Sequence, residues 1–188
     1  MGPEPKWLES TGGPTVILQT AVAEAWGGTG EDLDGEVECW GDYGSACKVD
    51  GWLGAVDYGT GSTAAPDEAH RALVLGGEPL RSTYAPEHRL VVRWHWANSF
   101  EHLFTMVEER LPRARWGPPL EWEVPPGGLV MIDATCTLHD YRQEYWKDQD
   151  PAVPIDLPPG DYRVETATLA SEDRRAEAIV HRFTQVTR

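Results

Sequence analysis

The densest group of titratable side chains in this sequence lies between residues 133 and 140. The group consists of Asp133, Cys136, His139 and Asp140. A cysteine nucleophile requires a base within hydrogen-bonding reach and a third group that orients the base. Cys136 and His139 would be close in a helix, but the segment from Asp133 to Thr137 has the composition of a strand that ends in a turn. Because oxyanion-stabilising groups cannot be named, we expect a protein that is not an enzyme. A small enzyme that uses Cys136, His139 and Asp140 is the alternative.

The other cysteines and the glycine-rich segments do not have the spacing of a metal or cofactor site. Cys39 and Cys47 have seven residues between them, whereas paired zinc ligands usually have about two to four. Segments 59–61 and 76–79 lack the Lys-Ser/Thr pair that completes a phosphate-binding loop. We therefore expect no catalytic residues, no metal ligands and no cofactor.

The charge balance indicates which partners are compatible with the surface. The sequence contains 31 acidic and 16 basic residues, and its formal net charge is −15. A nucleic-acid-binding surface needs clustered Lys and Arg, so nucleic acid is not an expected partner. An acidic surface can instead attract a basic protein. The candidate contacts are the carboxylates of one acidic segment, which could otherwise be a solvated loop: Glu31, Asp32, Asp34, Glu36 and Glu38.

The cysteine content and the first residues predict a cytoplasmic location. The three cysteines are Cys39, Cys47 and Cys136, and an odd number without a leader is typical of reduced thiols in the cytosol. The first residues do not combine a basic start with an apolar core, as a secretory signal would. No apolar run approaches the roughly 18 residues that a membrane span requires, so we expect no membrane association.

Hydrophobic periodicity predicts mostly strands. Residues 90–97 show the clearest alternation, with Val92, Trp94 and Trp96 on one face and Val91, Arg93 and His95 on the other. The other predicted strands are 16–18, 52–57, 72–75, 162–169 and 176–186, the last two forming a hairpin. Short helical segments are predicted at 20–26, with Thr20 as its cap, and at 42–47, with Asp42 as its cap.

One amphipathic helix is predicted at about residues 98–111. Asn98 and Ser99 offer capping oxygens, and Pro112 ends the helix. Its apolar positions share one face: Phe100, Leu103, Phe104, Val107 and Leu111. We therefore predict a single domain over residues 1–188 with an α+β fold, in which this helix packs on a strand-rich, largely antiparallel sheet. The helix and the Trp94/Trp96 face are expected to share a core.

Four short blocks in the first half of the chain carry a family resemblance. They are Trp7-Leu-Glu-Ser-Thr-Gly-Gly-Pro14, Asp42-Tyr-Gly-Ser-Ala-Cys47, Gly51-Trp-Leu-Gly-Ala-Val56 and Ala72-Leu-Val-Leu-Gly-Gly-Glu-Pro79. The residues that define the blocks are Trp7, Gly12, Gly13, Pro14, Asp42, Tyr43, Cys47, Gly54, Gly76, Glu78 and Pro79. In this order and spacing the blocks resemble the immunity protein 21 family of bacterial polymorphic toxin systems. The resemblance implies a toxin inhibitor that acts by protein–protein interaction on a cognate protein toxin. An adaptor domain without a toxin partner is a further alternative.

Overall fold

The computed structural model describes residues 5–10, 12–30, 40–59, 70–142 and 152–186. Within these ranges the strands are β1 (Trp7–Leu8), β2 (Thr15–Gln19), β3 (Gly54–Tyr58), β4 (His70–Val74), β5 (Arg81–Ala85), β6 (Leu90–Trp96), β7 (Leu120–Val124), β8 (Leu129–Asp133), β9 (Val153–Ile155), β10 (Gly160–Ala170) and β11 (Glu177–Gln185). The α-helices are α1 (Gly41–Cys47) and α2 (Phe100–Arg110). Short 3-10 helices occur at Thr20–Ala25, Leu111–Arg113 and Asp140–Arg142.

The strands form two antiparallel sheets. The six-stranded sheet has the order β1-β5-β6-β11-β10-β7, and the five-stranded sheet has the order β3-β4-β2-β8-β9. The predicted C-terminal hairpin is the longest pairing, running from Tyr162 opposite Gln185 to Ala170 opposite Glu177. The α+β fold and the antiparallel pairing predicted from the sequence are therefore confirmed.

The six-stranded sheet lies between two apolar cores because its strands alternate in the way the period of two requires. On β6, Val91 belongs to the core shared with the five-stranded sheet. Leu90 and Val92 belong to the second core, which includes Leu103 and Val107 of α2. The molecule is thus layered as sheet, sheet and helix, and α2 covers the face of the six-stranded sheet that the other sheet does not.

Helix α2 begins and ends close to the predicted positions. Ser99 is its N-cap, with an extended backbone (φ −157°) and a hydroxyl that accepts a hydrogen bond from the His102 N–H at 3.2 Å. Asn98 therefore does not cap the helix, although the sequence allowed it. Pro112 lies in the 3-10 turn that follows Arg110, as expected for a residue that cannot continue the α-helical hydrogen bonds.

At the two other helical segments, the N-cap is also not the residue that the sequence predicted. The segment from Thr20 to Ala25 is a 3-10 helix whose N-cap is Gln19. Helix α1 starts one residue before Asp42, with Trp40 as its N-cap. In both places the helical segment was predicted and its N-cap was misplaced, which is the usual error for element boundaries.

Aromatic side chains fill the core beneath α2. Trp7 is buried, and its ring centroid lies 5.5 Å from that of Trp94 and 6.3 Å from that of Phe104. Trp96 does not join this core: its side chain is 41% exposed, and its indole N–H donates to the Arg174 carbonyl at 3.3 Å. The expectation for Trp96 was wrong because it is the last residue of β6, beside the turn of the C-terminal hairpin.

No helix among the described residues is long and apolar enough to cross a membrane.

Candidate functional site

The carboxylates of the 133–140 cluster hold two consecutive turns after β8. Asp133 Oδ1 accepts hydrogen bonds from the backbone N–H of Thr135 at 2.9 Å and from its hydroxyl at 2.7 Å. Asp140 Oδ2 accepts from the backbone N–H of Thr137 at 2.6 Å and from its hydroxyl at 2.9 Å. Such local side-chain bonds to the backbone are what fix turns in proteins. Both carboxylates therefore have a structural role.

Cys136 lies in a setting that disfavours its thiolate. The thiol is half-buried, and this burial raises its pKa, as do the negative charges of Asp133 and Asp140, while the Thr135 hydroxyl lowers the pKa. A nucleophilic cysteine requires the opposite shift. His139 is exposed on the second turn. The geometry gives no support to the enzyme alternative that used these residues.

The first two family blocks meet around the end of the first 3-10 helix. The carboxylate of Asp42 accepts a hydrogen bond from the Gly27 N–H at 2.8 Å, and the Tyr43 N–H donates to the Gly28 carbonyl at 2.9 Å. A Cβ atom at Gly13 would lie only 2.5 Å from Cε2 of Tyr43. Gly13 therefore lets the first block pack directly on α1.

The third and fourth blocks enclose a buried arginine. Arg93 is inaccessible to solvent, and its guanidinium donates to the carbonyls of Leu75 and Glu78. Gly76 has a left-handed backbone (φ +70°), and a Cβ atom there would lie 2.8 Å from the ring of Trp52 and 3.2 Å from a terminal nitrogen of Arg93. Burial lowers the pKa of Arg93 to about 10. These two blocks therefore form the pocket that accommodates this cation between the sheets.

The remaining block residues have varied positions. Trp7 and Pro14 are buried, Cys47 is half-buried in α1, Gly54 begins β3, and Gly12 and Pro79 are exposed. Cys47 and Cys136 are free thiols, and Cys39 lies outside the described residues. The candidate contacts Glu31, Asp32, Asp34, Glu36 and Glu38 also lie outside the described residues.

A groove of about 820 Å³ runs along one side of α2. Four parts of the chain build it: α2, the end of β5 with the turn after it, the segment that contains β9, and Pro5 and Lys6 before β1. Its apolar lining consists of Ala85, Pro86, Phe100, Phe104, Val153 and Pro154. Since helix residues three and four positions apart are neighbours, residues 100, 101, 104, 105 and 108 present one continuous helix surface to this groove. Tyr84 supports the base, because its hydroxyl donates to the Asp156 carbonyl at 3.3 Å and so links β5 to the end of β9.

Carboxylates surround this apolar lining. Among the described residues, the acidic side chains of the groove are Glu87, Glu101, Glu108 and Asp156, and its one basic side chain is Lys6. All four acidic residues are exposed. The pKa of Glu101 is lowered by its own backbone N–H and by the Ser99 hydroxyl, as expected for a carboxylate in the first turn of a helix. We call this feature, with the lining and rim residues just named, the acid-rimmed groove.

The acid-rimmed groove was not predicted from the sequence, because its residues come from four separate parts of the chain. Phe100 and Phe104 were predicted to be core residues, and they are half-buried instead. Both rings contact Trp7 at centroid distances of 6.4 and 6.3 Å, and both also line the groove. Glu101 and Glu108 lie on the exposed side of α2. The pairing of that side with the turn after β5 could be seen only in three dimensions.

Other hollows of the described surface have a different chemistry. The two smaller ones lie near the β7 edge, are mainly polar, and share Arg71, Trp122 and Glu123. Among the described residues, no group of three or more His, Cys, Asp or Glu is arranged to hold a metal ion. The acid-rimmed groove therefore combines apolar lining and one sign of charge in a way that these hollows do not. Aromatic side chains with a polar rim are typical of surfaces that bind other proteins.

Comparison with known families identifies the chain. It belongs to the immunity protein 21 family, whose sequence model matches residues 6–175 of the 188. The match includes all four blocks and every residue of the acid-rimmed groove except Pro5 at its edge. The curated proteins and the solved structures contain no match to this chain.

Proposed function

We propose that this chain is a non-catalytic immunity protein that binds and neutralises a cognate protein toxin of a bacterial polymorphic toxin system. The observation that carries the proposal is the family match over residues 6–175. That match covers α2, the five-stranded sheet, every strand of the six-stranded sheet except β11, and the acid-rimmed groove from Lys6 onward. We further propose that the protein acts in the cytoplasm, where a toxin produced by the same cell would have to be silenced.

The charge of the chain supports a protein partner of opposite sign. A toxin that attacks nucleic acid must carry basic residues to approach phosphates. An inhibitor with a net charge of −15 would be attracted to such a protein over a distance of roughly a Debye length, about 8–10 Å near physiological salt. Complementary charge of this kind mainly raises the association rate. Inhibition then requires only that the toxin surface be covered, and no bond needs to be made or broken.

The test is co-expression with the toxin domain encoded beside the gene for this chain. We expect the wild-type protein to restore growth and to co-purify with the toxin as a stable complex. A non-catalytic inhibitor should also protect in proportion to its amount, so in vitro toxin activity should fall linearly and end at a fixed molar ratio. Complete inactivation of the toxin at a small fraction of that ratio would mean turnover and would refute the non-catalytic mechanism.

A further inference from the structure

We infer that the acid-rimmed groove is the toxin-docking surface, and that it receives a segment carrying an aromatic or aliphatic side chain flanked by lysine or arginine. This inference rests on the proposed function and adds to it the binding face and the chemistry of the bound segment.

The size of the groove suits an anchor side chain rather than a whole protein surface. Its volume of about 820 Å³ can hold one or two large side chains and part of their backbone. Binding energy at interfaces is concentrated in a few side chains that fill apolar pockets near the centre of the contact. The rings of Phe100 and Phe104 and the ring of Pro154 provide such a pocket here. The bound segment should therefore present an apolar side chain.

The charge of the rim specifies what surrounds that anchor. Of the described residues that line the groove, four carry a carboxylate and one, Lys6, an ammonium group, so lysine or arginine beside the anchor would be attracted, and acidic groups or phosphates would be repelled. A second copy of this chain would bring an equally acidic rim and the same net charge of −15. Like charges across an interface are unfavourable. The rim thus favours a basic protein over self-association.

The groove is already in a form that can bind. Phe100 and Phe104 pack edge-on against the buried Trp7, which fixes one side of each ring. The carboxylate of Glu101 is held in its charged form by the first turn of α2. A surface that needs little rearrangement loses less conformational entropy on binding.

Acidic residues at the opposite edges of the two sheets provide a matched control for the carboxylates of the groove. The groove lies where β5 and β9 approach each other, whereas β7 and β3 form the opposite edges of the two sheets. Glu121 and Glu123 on β7 and Asp57 on β3 are exposed. Neutralising them removes as many negative charges as neutralising Glu87, Glu101 and Glu108. The two triple variants have equal net charge and differ in where the charge is lost; the control also removes the exposed ion pair between Glu121 and Arg163, whose Oε1 and Nε are 3.2 Å apart, and exposed pairs contribute little.

The experiment measures binding of the adjacent-gene toxin by surface plasmon resonance at two salt concentrations. The groove triple Glu87→Gln, Glu101→Gln, Glu108→Gln should associate several-fold more slowly than wild type and show a weaker salt dependence. The control triple Asp57→Asn, Glu121→Gln, Glu123→Gln should differ from wild type by less than about two-fold. Thr105→Arg, which places a bulky cation in the groove, should weaken affinity by about ten-fold or more, mainly through faster dissociation. Circular dichroism melts on every variant separate lost binding from lost folding.

Each outcome decides between the two proposals. If wild type binds the toxin and folded groove variants bind equally well, the docking surface lies elsewhere and the proposed function stands. If the two triples slow association equally, only net charge matters and the inference fails. If wild type neither binds nor protects, the proposed function fails and the docking surface fails with it. If wild type is a dimer that Thr105→Arg dissociates, the groove belongs to a second copy, and the inference is wrong.

Discussion

The buried imidazole of His181 should make the fold sensitive to mild acid. His181 is inaccessible to solvent on β11, and its Nδ1 lies 2.9 Å from the Thr166 hydroxyl. Burial holds the pKa of His181 well below its ordinary value of 6.5, and the nearby charge of Arg93 lowers it further. Among the described residues, Nε2 has no hydrogen-bond partner. An imidazolium here would thus add a second buried cation with an N–H that lacks an acceptor.

The sign and size of the effect follow from proton linkage. Below about pH 6.5 the unfolded chain takes up a proton at His181 and the folded chain does not, so stability falls as the pH falls. A group protonated only in the unfolded state changes the free energy of unfolding by about 1.4 kcal/mol per pH unit. Between pH 8 and pH 5 the loss from this one residue should therefore be at most about 2 kcal/mol, a value reached when the folded chain stays unprotonated at His181 down to pH 5. The stability that the neutral His181 retains is fully present above the unfolded pKa of about 6.5 and is lost as the pH falls below it.

The measurement is urea unfolding at pH 8, 6 and 5 for wild type and for His181→Asn. The asparagine amide can still hydrogen-bond to Thr166, but it does not titrate. The absolute stability of the variant is not the readout, because removing the ring leaves a cavity. The readout is the change in unfolding free energy with pH, and the contributions of all other titratable groups cancel between the two proteins. Parallel pH profiles for the two proteins would refute the argument, because they would mean that the folded state accepts the proton at His181.

Three further predictions address the core, the family blocks and the 133–140 cluster. In denaturant unfolding, Trp7→Ala should destabilise the protein by about 3–5 kcal/mol, because Trp7 is buried against Trp94 and Phe104. Trp96→Ala changes an exposed site and should cost much less. Equal costs for the two variants would contradict the described core. Gly76→Ala should cost about 1–3 kcal/mol of stability, because φ at Gly76 is +70° and a Cβ there would lie 2.8 Å from Trp52. The control is Gly77→Ala, since a Cβ at Gly77 meets nothing within 4 Å. In thermal melts the midpoint of Gly77→Ala should be close to that of wild type and the midpoint of Gly76→Ala well below it. Cys136→Ala and His139→Ala should leave protection against the toxin intact in the co-expression assay, and a folded variant that fails to protect would restore the enzyme alternative.

The sequence predicted the elements whose signal is local. Strand β6 alternates between two opposite faces as the period of two requires, α2 is bounded by a capping serine and a proline, and the C-terminal hairpin has its charged turn near residues 171–175. These features depend on neighbours along the chain. The caps of the two short helical segments were misplaced, because Thr20 and Asp42 favour capping by residue type, whereas the backbone geometry makes Gln19 and Trp40 the N-caps.

The features that the sequence did not predict depend on long-range contacts. Burial of Arg93 runs against the usual exposure of arginine, and it is tolerated because the carbonyls of Leu75 and Glu78 accept its N–H groups. Those acceptors become available only when the turn after β4 folds over β6. The exposure of Trp96 likewise depends on its place at the end of β6, beside the turn of the C-terminal hairpin. Periodicity along one strand carries no information about either contact.

The family blocks and the acid-rimmed groove differ in whether their side chains are held by internal contacts. The side chains of the blocks are committed to internal contacts: Asp42 to the loop at Gly27, Tyr43 to Gly13, and Trp52 to Gly76. A side chain held in this way contributes to a partner interface only if an internal contact is broken. The exposed carboxylates of the groove lie outside all four blocks, on the turn after β5, on α2 and after β9. Changing them should alter binding at little cost to folding, because exposed side chains outside such contacts usually affect stability by no more than about 0.5 kcal/mol. The docking surface that we infer would thus place the determinants of partner choice beside α2 rather than in the blocks that identify the family, which is the separation an inhibitor needs if it is to match one particular toxin while retaining a common fold.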